Sequence, residues 1–249
     1  MTASAYGSPD PPIGLADAMD SAPFRIAVLA SGTGSNLQAV IDAIAAGRVP
    51  ARLVGVFSDR PKAPALDRAR DAGIPALAVR PRDFATRLAF DEHLFSQVDA
   101  VHPDLIVCAG YMRLVSEFAV TARLGRIVNI HPSLLPAFKG LHTHQQALDA
   151  GVEEHGASVH FVSPELDGGP VIAQARVPVL PGDDAAGLAG RVLAREHPLL
   201  VATLRLLAQR RLSTGSDMQV RLDGQPLDQP LQLLDDDTFQ IDPINPSAY

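Results

Sequence analysis

The chain reads as an α/β protein: a doubly wound, mostly parallel sheet with a Rossmann-like N-terminal half. Three observations lead there. Apolar runs of strand length alternate with helical patterns from residue 25 onward. Those runs are apolar throughout, as strands covered on both faces are. The first of them continues into a glycine-rich turn and a helical pattern, Ser31-Gly32-Thr33-Gly34-Ser35-Asn36-Leu37, the strand–turn–helix layout of an anion site.

Taken in order, residues 1–23 are rich in Ala, Ser, Pro, Gly and Asp and are expected to form a flexible extension. Strands are expected over 25–30, 53–58, 76–79, 104–109 and 126–130, with helices near 35–46, 65–72 and 83–101. Ser35 is suited to cap the first helix. Gly47 and Gly73 are suited to stop the first two helices. Strands near 157–162 and 171–177 extend the sheet, some of them antiparallel, and a long helix fits 184–211. Beyond Gly215 the chain turns polar and Pro-dotted, with Asp235-Asp236-Asp237. The expectation is therefore one folded domain over 24–213, then over 214–249 a short hairpin at most and a loose tail. No internal repeat is present.

A chain of 249 residues holds one large or two small domains, and 47% hydrophobic content suits a globular protein with a sizeable core. The net charge is −7 and no Lys/Arg run occurs, which argues against nucleic acid or a membrane surface as the main partner. An anionic small molecule remains open, because backbone donors bind phosphate inside an acidic protein. The single cysteine, Cys108, excludes an internal disulfide framework and fits a reducing compartment. It lies in the apolar run Leu105-Ile106-Val107-Cys108-Ala109 and reads as a buried strand residue. No secretory leader pattern and no bilayer-length apolar run occur, so a cytoplasmic location is expected.

The chemistry concentrates in two stretches, Asn129-Ile130-His131-Pro132-Ser133-Leu134-Leu135-Pro136 and Glu165-Leu166-Asp167-Gly168-Gly169-Pro170. Side chains alternate along a strand, so Asn129 and His131 share a face. An amide donor beside an imidazole can hold an oxyanion while moving a proton. A carboxylate such as Asp167 can orient the imidazole and raise its pKa. Pro132 and Pro136 end the strand and leave the histidine at a loop edge. In the glycine turn, two glycines fall short of the dinucleotide fingerprint, whose third position is Leu37 here. Asp59, after the second strand, stands where a ribose-binding acid would in a dehydrogenase, so that reading stays open. Six of the eight histidines lie from His131 to His197, yet their spacing matches no zinc pattern; hydrogen bonding suits His142 and His160 better than metal.

Together with Gly140-Leu141-His142, these strings resemble the folate-dependent formyltransferases, from about residue 24 to about residue 212. The resemblance implies the formyltransferase fold and transfer of a formyl group from 10-formyltetrahydrofolate, as cosubstrate, to the amine of glycinamide ribonucleotide in purine synthesis. It implies no metal, no covalent enzyme intermediate, and small-molecule partners only, the chain acting as a monomer or homodimer. By the same resemblance Asn129, His131 and Asp167 are catalytic. Gly34, Ser35, Asn36 and Glu196 meet the ribonucleotide. Arg87 meets the folate tail, and Met112, Arg113, Leu114 and Val115, with Asn129, line the folate pocket. His142 and His160 are secondary candidates. Relatives that formylate methionyl-tRNA add a C-terminal domain, and hydrolase relatives add an N-terminal one. About forty residues after the last helix and some two dozen before the first strand are expected to be too few for either. A silent folate- or nucleotide-binding protein stays open as a reading of a different class.

Overall fold

The computed structural model describes residues 22–240. The expected flexible extension over 1–23 and the last part of the expected tail, 241–249, lie largely outside the described residues. The main sheet is built from β1 (Phe24–Leu29), β2 (Ala51–Ser58), β3 (Ala76–Ala78), β4 (Leu105–Cys108), β5 (Ile127–His131), β6 (Glu154–Phe161) and β7 (Val171–Pro178). A late strand, β11 (Leu231–Gln232), joins its edge, and the order across the sheet is β11-β7-β6-β5-β4-β1-β2-β3. β1 to β5 are mutually parallel, whereas β6 runs antiparallel to both β5 and β7.

The helices are α1 (Ser35–Ala45), α2 (Pro64–Asp71), α3 (Arg87–Asp99), α4 (Glu117–Thr121), α5 (Thr143–Asp149) and α6 (Ala185–Ala208). Strand alternation divides the core into two layers. Ile26 and Val28 face a cluster that includes Leu37 and Val40 of α1, Leu66 of α2, and Leu199 and Leu204 of α6. Ala27 and Leu29 face the opposite cluster, with Phe90, Leu94, Phe95 and Val98 of α3 and Ala119 of α4. A strand with apolar side chains on both faces needs cover on both, so the unbroken apolar runs of the sequence and the two helical layers are one fact. The strand order reverses direction between β1 and β4, which opens a crevice at their carboxyl ends where ligands bind in such sheets.

Several boundaries differ from the sequence expectation. The helix expected from residue 83 starts at Arg87, because Thr86 caps it by accepting the Ala89 N–H at 3.1 Å, and Pro81–Asp83 form a separate 3-10 turn. Ser35 does not cap α1: Gly34 holds the cap position in a left-handed conformation (φ +75°) with no side-chain cap. The sequence pattern does not mark α4 and α5, because helices of five and seven residues are too short for a 3.6-residue period to repeat. The segment after α6 is more ordered than a hairpin. β8 (Leu212–Thr214), β9 (Val220–Leu222) and β10 (Gln225–Pro226) form a second, three-stranded antiparallel sheet, and β11 then pairs in parallel with β7, Leu231 opposite Ala173. Among the described residues no helix is long and apolar enough to cross a membrane.

Candidate active site

Asn129 and His131 lie on β5, whose antiparallel partner β6 sets His160 directly opposite Asn129 and Ser158 opposite His131. Cross-strand pairs of this kind bring side chains on one face into contact. The Asn129 amide nitrogen stands 3.2 Å from His160 Nε2. His160 Nδ1 is 2.9 Å from the carbonyl oxygen of Phe161. A carbonyl only accepts, so Nδ1 carries the proton and Nε2 is left to accept from the amide. Burial holds the His160 pKa below the ordinary imidazole value, the effect outweighing the Phe161 hydrogen bond and the nearby Asp167 charge. A neutral His160 therefore fixes the Asn129 side chain with its nitrogen toward the histidine and its second N–H without a partner among the described residues.

Asp167 reaches the same place from the loop after β6. Its Oδ2 is 3.6 Å from His131 Nδ1 and its Oδ1 is 3.7 Å from His160 Nε2, both longer than a hydrogen bond. The carboxylate is anchored by the backbone N–H of Gly140, which donates to Oδ2 at 2.9 Å. Its backbone is left-handed (φ +45°), a conformation that costs Asp less than most residues. The loop runs tight against β6: a Cβ on Gly169 would fall 1.9 Å from the Phe161 carbonyl oxygen. The other nitrogen of His131, Nε2, donates to the carbonyl of Phe138 at 3.0 Å. Both ring nitrogens of His131 thus face oxygen atoms.

The turn after His131 is held from behind. Ser158 Oγ donates to the Ser133 carbonyl at 2.7 Å and accepts from Leu135 N and Gln174 Nε2, both at 3.0 Å, and the Gln174 amide also donates to the Leu135 carbonyl. Ser158 and Gln174 are buried. Neither stands out in the sequence. The spacing Ser158-x-His160 repeats Asn129-x-His131, and that was the signal available.

The glycine turn comes together with α6. The Asn36 amide donates to Glu196 Oε2 at 2.7 Å across the α1–α6 contact, and both residues are buried. Burial raises the Glu196 pKa above the usual carboxylate value, against the lowering effects of Asn36 and His131. Gly34 and Ser35 open α1 at the carboxyl end of β1, so the expected ribonucleotide group is contiguous. Asp59, the acid of the dehydrogenase reading, is buried and accepts a hydrogen bond from Ser31 at 2.6 Å.

Met112, Arg113, Leu114 and Val115 follow β4 on the far side of the crevice. The Arg113 guanidinium lies 5.0 Å from the Phe90 ring centroid, and Phe90 meets Phe84 edge-on at 5.8 Å. Arg87 is exposed at the start of α3, three residues beyond Phe84 in the chain. His142 is exposed and left-handed at the start of α5, and no hydrogen bond or ion pair joins it to Asn129, His131, His160 or Asp167 among the described residues. His144 and His155 hydrogen-bond to each other at 3.2 Å. Cys108 is a buried strand residue, its thiol pushed up to about 12 by burial, which makes it a poor nucleophile.

Against known proteins, the formyl transferase family matches residues 24–204. A phosphoribosylglycinamide formyltransferase of Escherichia coli K12 is 47% identical over 204 residues, 82% of this chain and 96% of that one. The human trifunctional purine biosynthetic protein adenosine-3 is 40% identical over 196 residues, which span 79% of this chain and 19% of that one. Among solved structures, the phosphoribosylglycinamide formyltransferase of Coxiella burnetii superimposes with a TM-score of 0.79 at 44% identity, covering 83% and 96% of the two chains. The glycinamide ribonucleotide transformylase 1 of Symbiobacterium toebii gives 0.77 at 48% identity, covering 80% and 94%.

Proposed function

The chain belongs to the formyl transferase family, and from that premise we propose that it carries a formyl group from 10-formyltetrahydrofolate to the amine of phosphoribosylglycinamide, with Asn129, His131 and Asp167 as the catalytic group. The products are formylglycinamide ribonucleotide and tetrahydrofolate, as a step of purine synthesis. The observation that carries the assignment is the convergence of an amide, an imidazole and a carboxylate from β5 and the β6–β7 loop, with His131 Nδ1 3.6 Å from Asp167.

The amine nitrogen attacks the formyl carbon and forms the new C–N bond. The carbonyl oxygen becomes an oxyanion in a tetrahedral intermediate. The free N–H of Asn129 and the charge of a protonated His131 stabilise it. The C–N bond to folate N10 then breaks, and the proton lost by the amine passes to N10 through water held at Asp167. His160 keeps the Asn129 amide aimed, and the Gly140 N–H keeps Asp167 in place. The turn at Gly34, Ser35 and Asn36, with Glu196, holds the ribonucleotide, its phosphate at the start of α1. Arg87 and the 112–115 segment hold the folate, and one crevice supplies the proximity.

The test follows tetrahydrofolate release from 10-formyltetrahydrofolate with and without phosphoribosylglycinamide. Release that requires the ribonucleotide is the expected result. Release without it would make the protein a hydrolase, and no release in either mixture would remove the transfer reading.

A further inference from the structure

The 112–115 segment is exposed along much of its length: Met112 is 61% and Leu114 49% exposed. A backbone so open needs fixed ends to keep one shape. Both ends are tied, and both ties lead to a buried aspartate. At one end, the Met112 N–H donates to Ser31 Oγ at 2.9 Å, and Ser31 donates its own proton to Asp59 Oδ1 at 2.6 Å. A hydroxyl has one proton, and the carboxylate takes it, so the oxygen is left to accept from Met112. At the other end, the Ser116 N–H donates to Asp91 Oδ2 at 2.7 Å. Ser31 and Asp91 are 1% exposed and Asp59 is 7% exposed.

We propose that Ser31 with Asp59, and Asp91, are positioning residues that hold the 112–115 segment at its two ends in the shape that receives the folate cosubstrate. The proposal rests on the reading of that segment as the folate wall. The first tie also crosses the crevice. Asp59 follows β2, Ser31 follows β1 and Met112 follows β4, so one chain of hydrogen bonds spans the carboxyl ends of three adjacent strands. The glycine turn has further holds of its own. Gly32 accepts from Ala65 N, Thr33 accepts from Arg68 Nε, and Ser31 N donates to Gly110. Loss of the Ser31 hydroxyl is therefore felt on the folate side, where Met112 N loses its acceptor.

Ser31→Ala and Asp91→Ala are each expected to raise the KM for 10-formyltetrahydrofolate, and the calorimetric Kd for tetrahydrofolate, roughly five- to thirty-fold, the cost of leaving one backbone N–H of the segment without its acceptor. The KM for phosphoribosylglycinamide is expected to stay within about twofold, because the other holds on the glycine turn persist. Asp91→Asn keeps an acceptor oxygen for the Ser116 N–H and is expected to recover most of the affinity lost in Asp91→Ala, and Asp59→Asn keeps an acceptor for the Ser31 hydroxyl and is expected to bind tetrahydrofolate nearly as wild type does. Wild-type protein that binds no tetrahydrofolate overturns the folate reading and the proposal with it. Wild-type binding with unchanged folate KM in both Ala variants overturns the positioning role alone. So does a lowered Tm with both KM values unmoved, or a parallel rise of both.

Discussion

At Asp167 the backbone and the side chain make separate demands. The left-handed φ of +45° suits Asp, Asn and Gly and strains branched residues. The carboxylate, anchored by Gly140 N–H, faces His131 and His160. Asp167→Asn satisfies the first demand and fails the second. Its amide oxygen can still accept from Gly140, while the charge beside His131 is gone. The variant is expected to melt within a few degrees of wild type and bind both substrates, yet lose about a hundredfold or more in kcat, the usual range for a positioned acid–base group. Steady-state kinetics with both KM values checks it; kcat near wild type would remove Asp167 from the catalytic group. That Asn129 and His131 share a face was legible from the two-residue period of a strand. That His160 fixes the Asn129 amide was not, because it depends on the register of β6 against β5, and one residue of slip would turn His160 to the other face.

Among the elements, the glycine turn shows how one short string hides two structural roles. A Cβ on Gly34 would sit 2.8 Å from both Cα and Cβ of Ala65 on α2, at a backbone φ of +75°. A Cβ on Gly32 would meet nothing within 4 Å. Gly34 is thus required by the packing of α2 against the turn whether or not a ligand is bound, and Gly32 lines open space. Gly34→Ala is expected to lose about 1–2 kcal/mol from the left-handed backbone alone, with the Ala65 contact adding to it, so that Tm falls by several degrees. Gly32→Ala is expected to leave Tm unchanged and to weaken the ribonucleotide more than the folate. Thermal melts and the two KM values of each variant separate the roles; equal Tm losses would mean that Gly32 too is structural. The sequence marks both glycines as turn residues, but which of them touches α2 depends on a helix thirty residues further on. The late strands were illegible for a similar reason. Leu231-Gln232 has neither length nor periodicity, and its pairing with Ala173 and Gln174 arises only because β7 would otherwise be a bare sheet edge.

Across the whole molecule, burial acts on the histidines in one direction. His144, His155, His160 and His197 all have pKa values below the ordinary imidazole value, with desolvation the first cause in each, and His155 falls to about 4. A histidine whose folded pKa lies below its unfolded value binds protons preferentially in the unfolded chain. Between the two pKa values, stability rises with pH. For His155 the contribution is fully present above about pH 6.5 and is lost as pH falls toward about 4. The other three act in the same direction, so the fold is expected to weaken below about pH 6.5, before the bulk of its carboxylates are protonated. His155 is fully buried, edge-on to Phe138 in the loop that also accepts from His131. Its protonation would place a charge beneath the catalytic loop, so acid should cost activity along with stability. Melts of wild type and of His155→Gln from pH 8 to pH 4 check this. The wild-type Tm is expected to begin falling near pH 6.5, and His155→Gln to fall less steeply. Parallel curves for the two proteins, or a fall confined to the carboxylate range, would assign the acid sensitivity to the ion pairs of the surface and not to this core histidine.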